Sequence, residues 1–270
     1  MKKPITPNLG IAYPDDPAEH VMQPLLLRDI QIDEKYPYLD KSFSFRFMRK
    51  LMHLGIFVIV FIASPLIYGL KIEGRKILWK YRKLLKDGAM TVSNHIHRWD
   101  LLFILQAVRY RLMYVPVWKE NLRGKDIHFI RLVGGIPVPE EIHAIKYFNQ
   151  AFDEIHAKKI WIHAYPESAM WSYYRPIRPF KKGVFTIAYR YNLPVLPIAF
   201  FYTKPSFPLM VVNLFRKKKL PTIVARIGEP LLPDMELSRK EAVQKLRKEC
   251  HEAIVKLAEV ENNPWPAEGD

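Results

Sequence analysis

His95 and Asp100 are the residues of this chain whose types and spacing point most directly to chemistry, within VSNHIHRWDLLFI at 92–104. A histidine hydrogen-bonded to a buried carboxylate has a fixed tautomer and a stabilised imidazolium form, which makes it a competent general base. The five-residue spacing constrains the local structure. On one continuous helix, five steps of about 100° leave two side chains about 140° apart, too far to meet. They meet if a strand runs into Asn94 and His95 and a helix begins near Trp99, so that His95 sits on the loop and Asp100 at the helix start. Aspartate suits that place, because it faces unpaired N–H groups. No Ser or Cys nucleophile lies in the motif, so this base would activate a hydroxyl of the substrate itself, with no covalent enzyme intermediate.

Two other readings use the same residues. His95, His97 and Asp100 form an H-x-H-x-x-D cluster, and histidine is a common zinc ligand. A metal-dependent hydrolase would need further ligands. His128, His143, His156 and His163 are available, but none lies in a second compact motif. A His–Asp pair can also be purely structural.

The elements that must position the pair follow from periodicity. Short apolar runs predict strands at 89–93, 112–117, 136–138, 159–164, 195–202 and 222–227. Longer periodic runs predict helices at 99–108, 141–157, 181–191 and 238–260. Strands alternating with helices predict an α/β domain with a mostly parallel sheet flanked by helices. In such sheets the site lies beyond the carboxyl ends of the strands.

Upstream, Pro4, Pro7, Pro14, Pro17, Pro24 and Pro37 block long helices and predict an extended arm. Residues 51–70, LMHLGIFVIVFIASPLIYGL, are long and apolar enough to enter a bilayer. Pro65 and two glycines leave a bent or one-leaflet helix open beside a span. Basic residues flank the segment on both sides, so they give no orientation. Residues 77–86 carry an amphipathic, basic helical pattern with Leu78, Tyr81, Leu84 and Leu85 on one stripe. The expected organisation is an arm at 1–45, a membrane-associated helical segment at 46–75, an α/β domain at 76–262 and a tail at 263–270.

With 42 Lys and Arg against 27 Asp and Glu, the net charge is +15, which attracts polyanions. The candidates are nucleic acid, anionic lipid and an acidic carrier protein. The aromatics lie mostly inside apolar runs rather than interleaved with basic residues, so no nucleic-acid partner is expected. A non-catalytic anionic-lipid-binding protein remains an alternative. The single cysteine, Cys250, excludes a disulfide framework within the chain and reads as a packed helix residue. Residues 216–219 read as a solvated basic turn.

NHIHRWD resembles the N-H-x-x-x-x-D motif of the glycerolipid acyltransferases typified by the 1-acyl-glycerol-3-phosphate acyltransferases. Further blocks follow in that family's order. GGIPVP (134–139) is similar to the second motif, YPES (165–168) to the third, usually F-P-E-G, and LPVLPIAF (193–200) to the fourth. RPFKKG (178–183) resembles a basic segment common in bacterial members. The resemblance covers roughly 75–230. It implies transfer of a fatty acyl group from acyl-CoA or acyl carrier protein to a lysophospholipid hydroxyl, foremost 1-acyl-glycerol-3-phosphate giving phosphatidic acid. It implies His95 as base, Asp100 as its partner, Glu167 in the acceptor site and Gly134 among the substrate-binding residues. No cofactor is implied, since the thioester is a co-substrate. The implied location is the cytoplasmic face of a membrane.

The chain departs from the pattern in two places. The family's second motif usually ends in an Arg that holds the acceptor phosphate, where this chain has Glu140. The third usually reads E-G-T, where Glu167 is followed by Ser168 and Ala169. Arg175, Arg178, Lys181 and Lys182 are the cations expected to substitute, with guanidinium forks and lysine point charges as phosphate ligands. Lys182 and Gly183 are also placed to open a helix whose N-terminus favours an anion. Trp99, Trp171, Tyr173 and Tyr174 flank the site without an assigned role.

Overall fold

The computed structural model describes residues 3–21, 23, 25, 27–217 and 219–268. Pro24 of the expected arm, Lys218 of the basic turn and the last two residues of the tail lie outside the described residues.

The strands are β1 (Pro4–Ile5), β2 (Lys71–Glu73), β3 (Met90–Ser93), β4 (Met113–Val117), β5 (Gly135–Pro137), β6 (Trp161–Ala164), β7 (Val195–Thr203) and β8 (Thr222–Ile227). Among the described residues they form one sheet in the order β2-β8-β7-β3-β6-β4-β5, and β1 pairs with β7. Every neighbouring pair is parallel except β7 with β8 and β1 with β7. The mostly parallel sheet expected from the element order is present. Strands β3, β6 and β7 are buried at every residue, as central strands covered on both faces are, and their few polar members are Thr91, Ser93, His163 and Thr203.

Alternation along β7 divides the core. Val195, Ala199 and Phe201 point to one face, with Phe152, Phe185, Leu246 and Ile254. Leu196, Ile198, Phe200 and Tyr202 point to the other, with Ile56, Val60 and Phe103. The first face is covered by helices α5 (Ile142–Ala157), α6 (Gly183–Arg190) and α8 (Arg239–Leu257). The second is covered by α1 (Phe43–Ile67) and α3 (Asp100–Ala107). Each large side chain so buried contributes about 1.5–3 kcal/mol. Ser238 and Glu241 start α8 with a reciprocal capping box.

Helix α1 begins before the apolar run, because Ser42 caps it: its Oγ accepts from the Phe45 N–H at 3.3 Å. Over 25 residues its inward face buries Arg49, Ile56, Val60 and Ser64, while Phe47, Leu51, Leu54, Phe57, Phe61 and Ile62 are exposed. It packs on α3, on α4 (Ile127–Leu132) and on α7 (Phe207–Leu214). The sheet already begins at Lys71, inside the 46–75 stretch, because β2 pairs with β8.

Two sequence expectations need correction. The single amphipathic helix over 77–86 is instead a short helix α2 (Lys76–Lys80), a turn, and a 3-10 turn (Leu84–Asp87) that sets Leu85 in the core. Helix α7 was assigned no element. Its sequence FPLMVVNL is apolar nearly all round and carries two adjacent valines, so it shows no helical period.

Candidate active site

Strand β3 carries the chain into Asn94, and Asn94 anchors the next step. Its buried Nδ2 donates to the Phe200 carbonyl at 2.9 Å, and its Oδ1 accepts from the Phe200 N–H at 2.8 Å. The loop leaves the sheet locked to β7. His95 follows with both backbone polar groups held: its N–H donates to Glu167 Oε2 at 2.9 Å, and its carbonyl accepts from the Trp171 N–H at 3.0 Å. Asp100 is the first residue of α3.

This arrangement brings His95 Nδ1 to 2.7 Å from Asp100 Oδ2. The Asp100 side chain is 1% exposed and that of His95 is 23% exposed, so the histidine is the solvent-facing member. With Nδ1 turned to the carboxylate, Nε2 is the nitrogen left for a reacting group. Asp100 Oδ2 also accepts from the His97 N–H at 3.3 Å, and Oδ1 accepts from the Tyr165 hydroxyl at 2.7 Å. Burial pushes the Asp100 carboxyl up, but the charge and hydrogen bond of His95 and the hydrogen bond of Tyr165 outweigh it, and the net direction is down. Asp100 is therefore an anion held on both oxygens.

Tyr165, at the carboxyl end of β6, was not singled out from the sequence as a site residue. Its ring stacks on His95 with centroids 3.9 Å apart and planes 16° apart. Burial first, then the Asp100 charge and hydrogen bond, raise its phenol well above the ordinary value, so it remains a donor. Spacing in the sequence does not mark it: β3 and β6 become parallel neighbours only in the folded sheet, where their carboxyl ends share one edge.

His163 and His97 are buried without joining the pair. Burial lowers His163 to about 3 and His97 to about 4, so both are neutral. His163 Nδ1 lies 2.9 Å from Thr91 Oγ1. His97 Nδ1 accepts from the Trp99 N–H at 3.2 Å. Among the described residues, no group of three His, Cys, Asp or Glu side chains is arranged to hold a metal ion. Cys250 is buried in α8, and burial pushes its thiol up.

The other expected site residues are placed differently. Glu167 and Arg178 form a buried ion pair, Nη2 to Oε2 at 2.8 Å, each side chain 1% exposed. Glu167 Oε1 accepts from the Arg178 N–H at 2.9 Å. The Arg178 guanidinium also donates to the Pro17 carbonyl at 2.8 Å and to the Ala169 carbonyl, and it lies over the Trp171 ring. The expectation that Arg178 grips an acceptor phosphate is thus corrected, since its side chain is buried and both Nη groups are engaged by the third-motif loop and the arm. Glu167, expected in the acceptor site, supports the His95 backbone from below.

Gly134 is not at the site either. It precedes β5, two strands beyond β6, and takes φ +107°. A Cβ there would lie 2.3 Å from the Met113 carbonyl oxygen and 2.9 Å from Arg49 Nη2, so glycine is required for backbone packing. Past the carboxyl end of β5, Glu140 pairs with Lys119, which follows β4. Lys181 stays beside the third motif, where its N–H donates to the Pro166 carbonyl at 2.8 Å, and Lys182 is exposed as the N-cap residue of α6. Arg175 Nη2 donates to the Glu259 carbonyl at 2.8 Å.

The arm crosses the same edge of the molecule. Tyr13 donates to the Ser172 carbonyl at 2.8 Å, Trp171 Nε1 donates to the Glu19 carbonyl at 2.7 Å, and His20 stacks on Trp118 with centroids 4.1 Å apart. Burial, then the nearby charges of His95 and Arg178, lower the His20 pKa.

Comparison with known proteins gives similarities of two kinds, to a family model and to solved structures. Residues 71–201 match the family model described as Acyltransferase. The fold is similar to the crystal structure of the 1-acyl-sn-glycerophosphate (LPA) acyltransferase PlsC from Thermotoga maritima, with a TM-score of 0.51 and 17% identity over 82% of this chain and 85% of that chain. At that identity the likeness concerns the fold. No curated protein matches the chain.

Proposed function

We propose that the chain, whose residues 71–201 match the acyltransferase family model, is an enzyme that moves a fatty acyl group from acyl-CoA or acyl carrier protein to a lysophospholipid hydroxyl, with 1-acyl-glycerol-3-phosphate the foremost acceptor. The observation that carries this reading is the 2.7 Å His95–Asp100 pair, with a buried carboxylate and a partly exposed imidazole.

In this reading His95 Nε2 removes the proton from the acceptor hydroxyl as its oxygen attacks the thioester carbonyl carbon. Asp100 stabilises the imidazolium that forms. The carbon–sulfur bond then breaks, and the imidazolium returns the proton to the departing thiolate. The products are an ester and a free thiol. Tyr165, Glu167 and Asn94 hold the pair in place. Lys181 and Lys182 remain the cations proposed to meet the acceptor phosphate, now that Arg178 is committed elsewhere.

Helix α1 would lie in one leaflet of a membrane. At 1.5 Å per residue it is about 38 Å long, and by length and composition it could cross a bilayer. Yet one face is docked on the α/β domain from Arg49 to Ser64, and lipid cannot surround a helix whose side carries a soluble domain along much of its length. The exposed opposite face suits immersion parallel to the surface. The cytoplasmic face remains the proposed location.

A thioester-release assay against a panel of lysolipids, with CoA and carrier-protein donors, tests the reading. Transfer should be abolished in His95→Ala, and Asp100→Asn should lower kcat by about 10²–10⁴ with little change in acceptor KM. Full transfer by His95→Ala overturns the mechanism. Lipid binding without thioester release by the native chain would instead support a non-catalytic lipid binder.

A further inference from the structure

Helix α7 carries a second exposed apolar group. Phe207, Met210, Leu214 and Phe215 are all more than half exposed. The helix packs on α1, and Arg216 ties the two ends together by donating to the Ile67 carbonyl at 2.9 Å. A side chain such as Phe215, 88% exposed, has no folding reason to face water, and its neighbourhood with α1 extends the same immersed surface.

Beside α7 lies a cleft of about 830 Å³ whose surface is mostly apolar, with Ile5, Met210 and Leu214 in its lining together with Lys3, Lys204 and Lys219. Among the described residues no Asp or Glu lines it, and neither His95, Asp100 nor Tyr165 borders it. The wall is built rather than incidental. Buried Asn213 donates to the Leu220 carbonyl at 2.9 Å and accepts from the Leu220 N–H at 3.1 Å, which fixes the loop carrying Lys219. Strand β1 is held by its pairing with β7, which fixes Ile5 in the lining, and Lys3 directly precedes it.

We propose that this cleft seats one anionic phospholipid of the leaflet, bound as a membrane component and separate from the acceptor at His95. The proposal rests on the membrane reading above. An acyl chain would lie on Ile5, Met210 and Leu214, in line with the immersed faces of α7 and α1. The headgroup phosphate would meet lysine ammonium groups, compact charges on flexible stems suited to the interfacial depth.

The test is co-sedimentation of the full chain with phosphatidylcholine vesicles, with and without phosphatidylglycerol, at fixed ionic strength. The native chain should bind both and prefer the anionic vesicles. Lys3→Glu with Lys219→Glu should weaken binding to anionic vesicles by about tenfold or more and leave binding to neutral vesicles unchanged. Lys240→Glu with Lys248→Glu, an equal charge change at exposed positions on α8, should do less. Soluble glycerophosphate at matched ionic strength should not displace the protein. Equal losses in the two double variants, or no loss in the first, overturn the cleft while leaving the membrane reading intact. Displacement by glycerophosphate overturns the lipid in favour of a soluble phosphate ester. Absence of native binding to either vesicle overturns both readings. Activity on a short-chain soluble acceptor should be unchanged in both variants.

Discussion

The Tyr165 hydroxyl donates to Asp100 Oδ1 at 2.7 Å while the Tyr165 ring lies flat on His95 at 3.9 Å. One side chain therefore touches both members of the pair, gripping the carboxylate by its edge and the imidazole by its face. Tyr165→Phe keeps the stacking surface and removes the hydrogen bond. It should lower kcat by about tenfold, the rate equivalent of the roughly 1.5 kcal/mol that a hydrogen bond to a charged group contributes, and leave both KM values unchanged. A second readout is the proton resonance of the His95–Asp100 hydrogen bond, which should move in Tyr165→Phe. An unchanged kcat and resonance would reduce Tyr165 to packing. The resembled third motif usually begins with Phe, which fits a modest loss rather than abolition.

Arg178→Ala should act on folding rather than on acceptor affinity. It leaves Glu167 buried without its charge partner and releases the Pro17 carbonyl. Breaking a buried pair on one side costs about 3–5 kcal/mol. Denaturant titration should show this loss, with acceptor KM unchanged in the folded fraction. A raised KM at native stability would return Arg178 to the acceptor site.

Acidification should destabilise the protein through His97 and His163. Their folded values are lowered to about 4 and about 3, from an ordinary 6.5. Below 6.5 the unfolded chain takes up protons that the folded chain refuses, so stability falls as pH drops from 6.5 toward 4. The loss is up to about 1.4 kcal/mol per pH unit for each histidine. Urea titrations across this window should give a shallower pH slope in His163→Gln than in the native chain. Equal slopes would mean that His163 does not titrate as its burial requires.

Ser168→Gly should stabilise the third-motif loop. Ser168 takes φ +64°, a left-handed conformation that costs a side-chain-bearing residue about 1–2 kcal/mol. Glycine removes that cost but adds unfolded-state entropy of about 0.4–1 kcal/mol. The net gain should lie between about 0 and 1.6 kcal/mol, read as a raised denaturation midpoint. A lowered midpoint would show that the serine side chain contributes more than its backbone costs.

By itself the sequence determined the six strands β3 to β8 and the helices α3, α5, α6 and α8 among them, the mostly parallel sheet and the need for His95 to leave a strand while Asp100 opens a helix. These are local matters of periodicity, spacing and capping, and residues near in sequence encode them. What lies around the pair was decided only by tertiary structure. Tyr165 reaches Asp100 across 65 residues because β3 and β6 pair side by side. Arg178 looked like a free cation in a basic run, and only folding buries it between Glu167, the Pro17 carbonyl and the Trp171 ring. Gly134 belonged to a recognisable block, yet its function is the close approach of the Met113 carbonyl. Helix α7 carried no period, because a helix with apolar residues on nearly every side shows none. A residue type and its spacing set what a side chain can do, but which charges it meets and how much water it keeps depend on strands and loops distant in sequence.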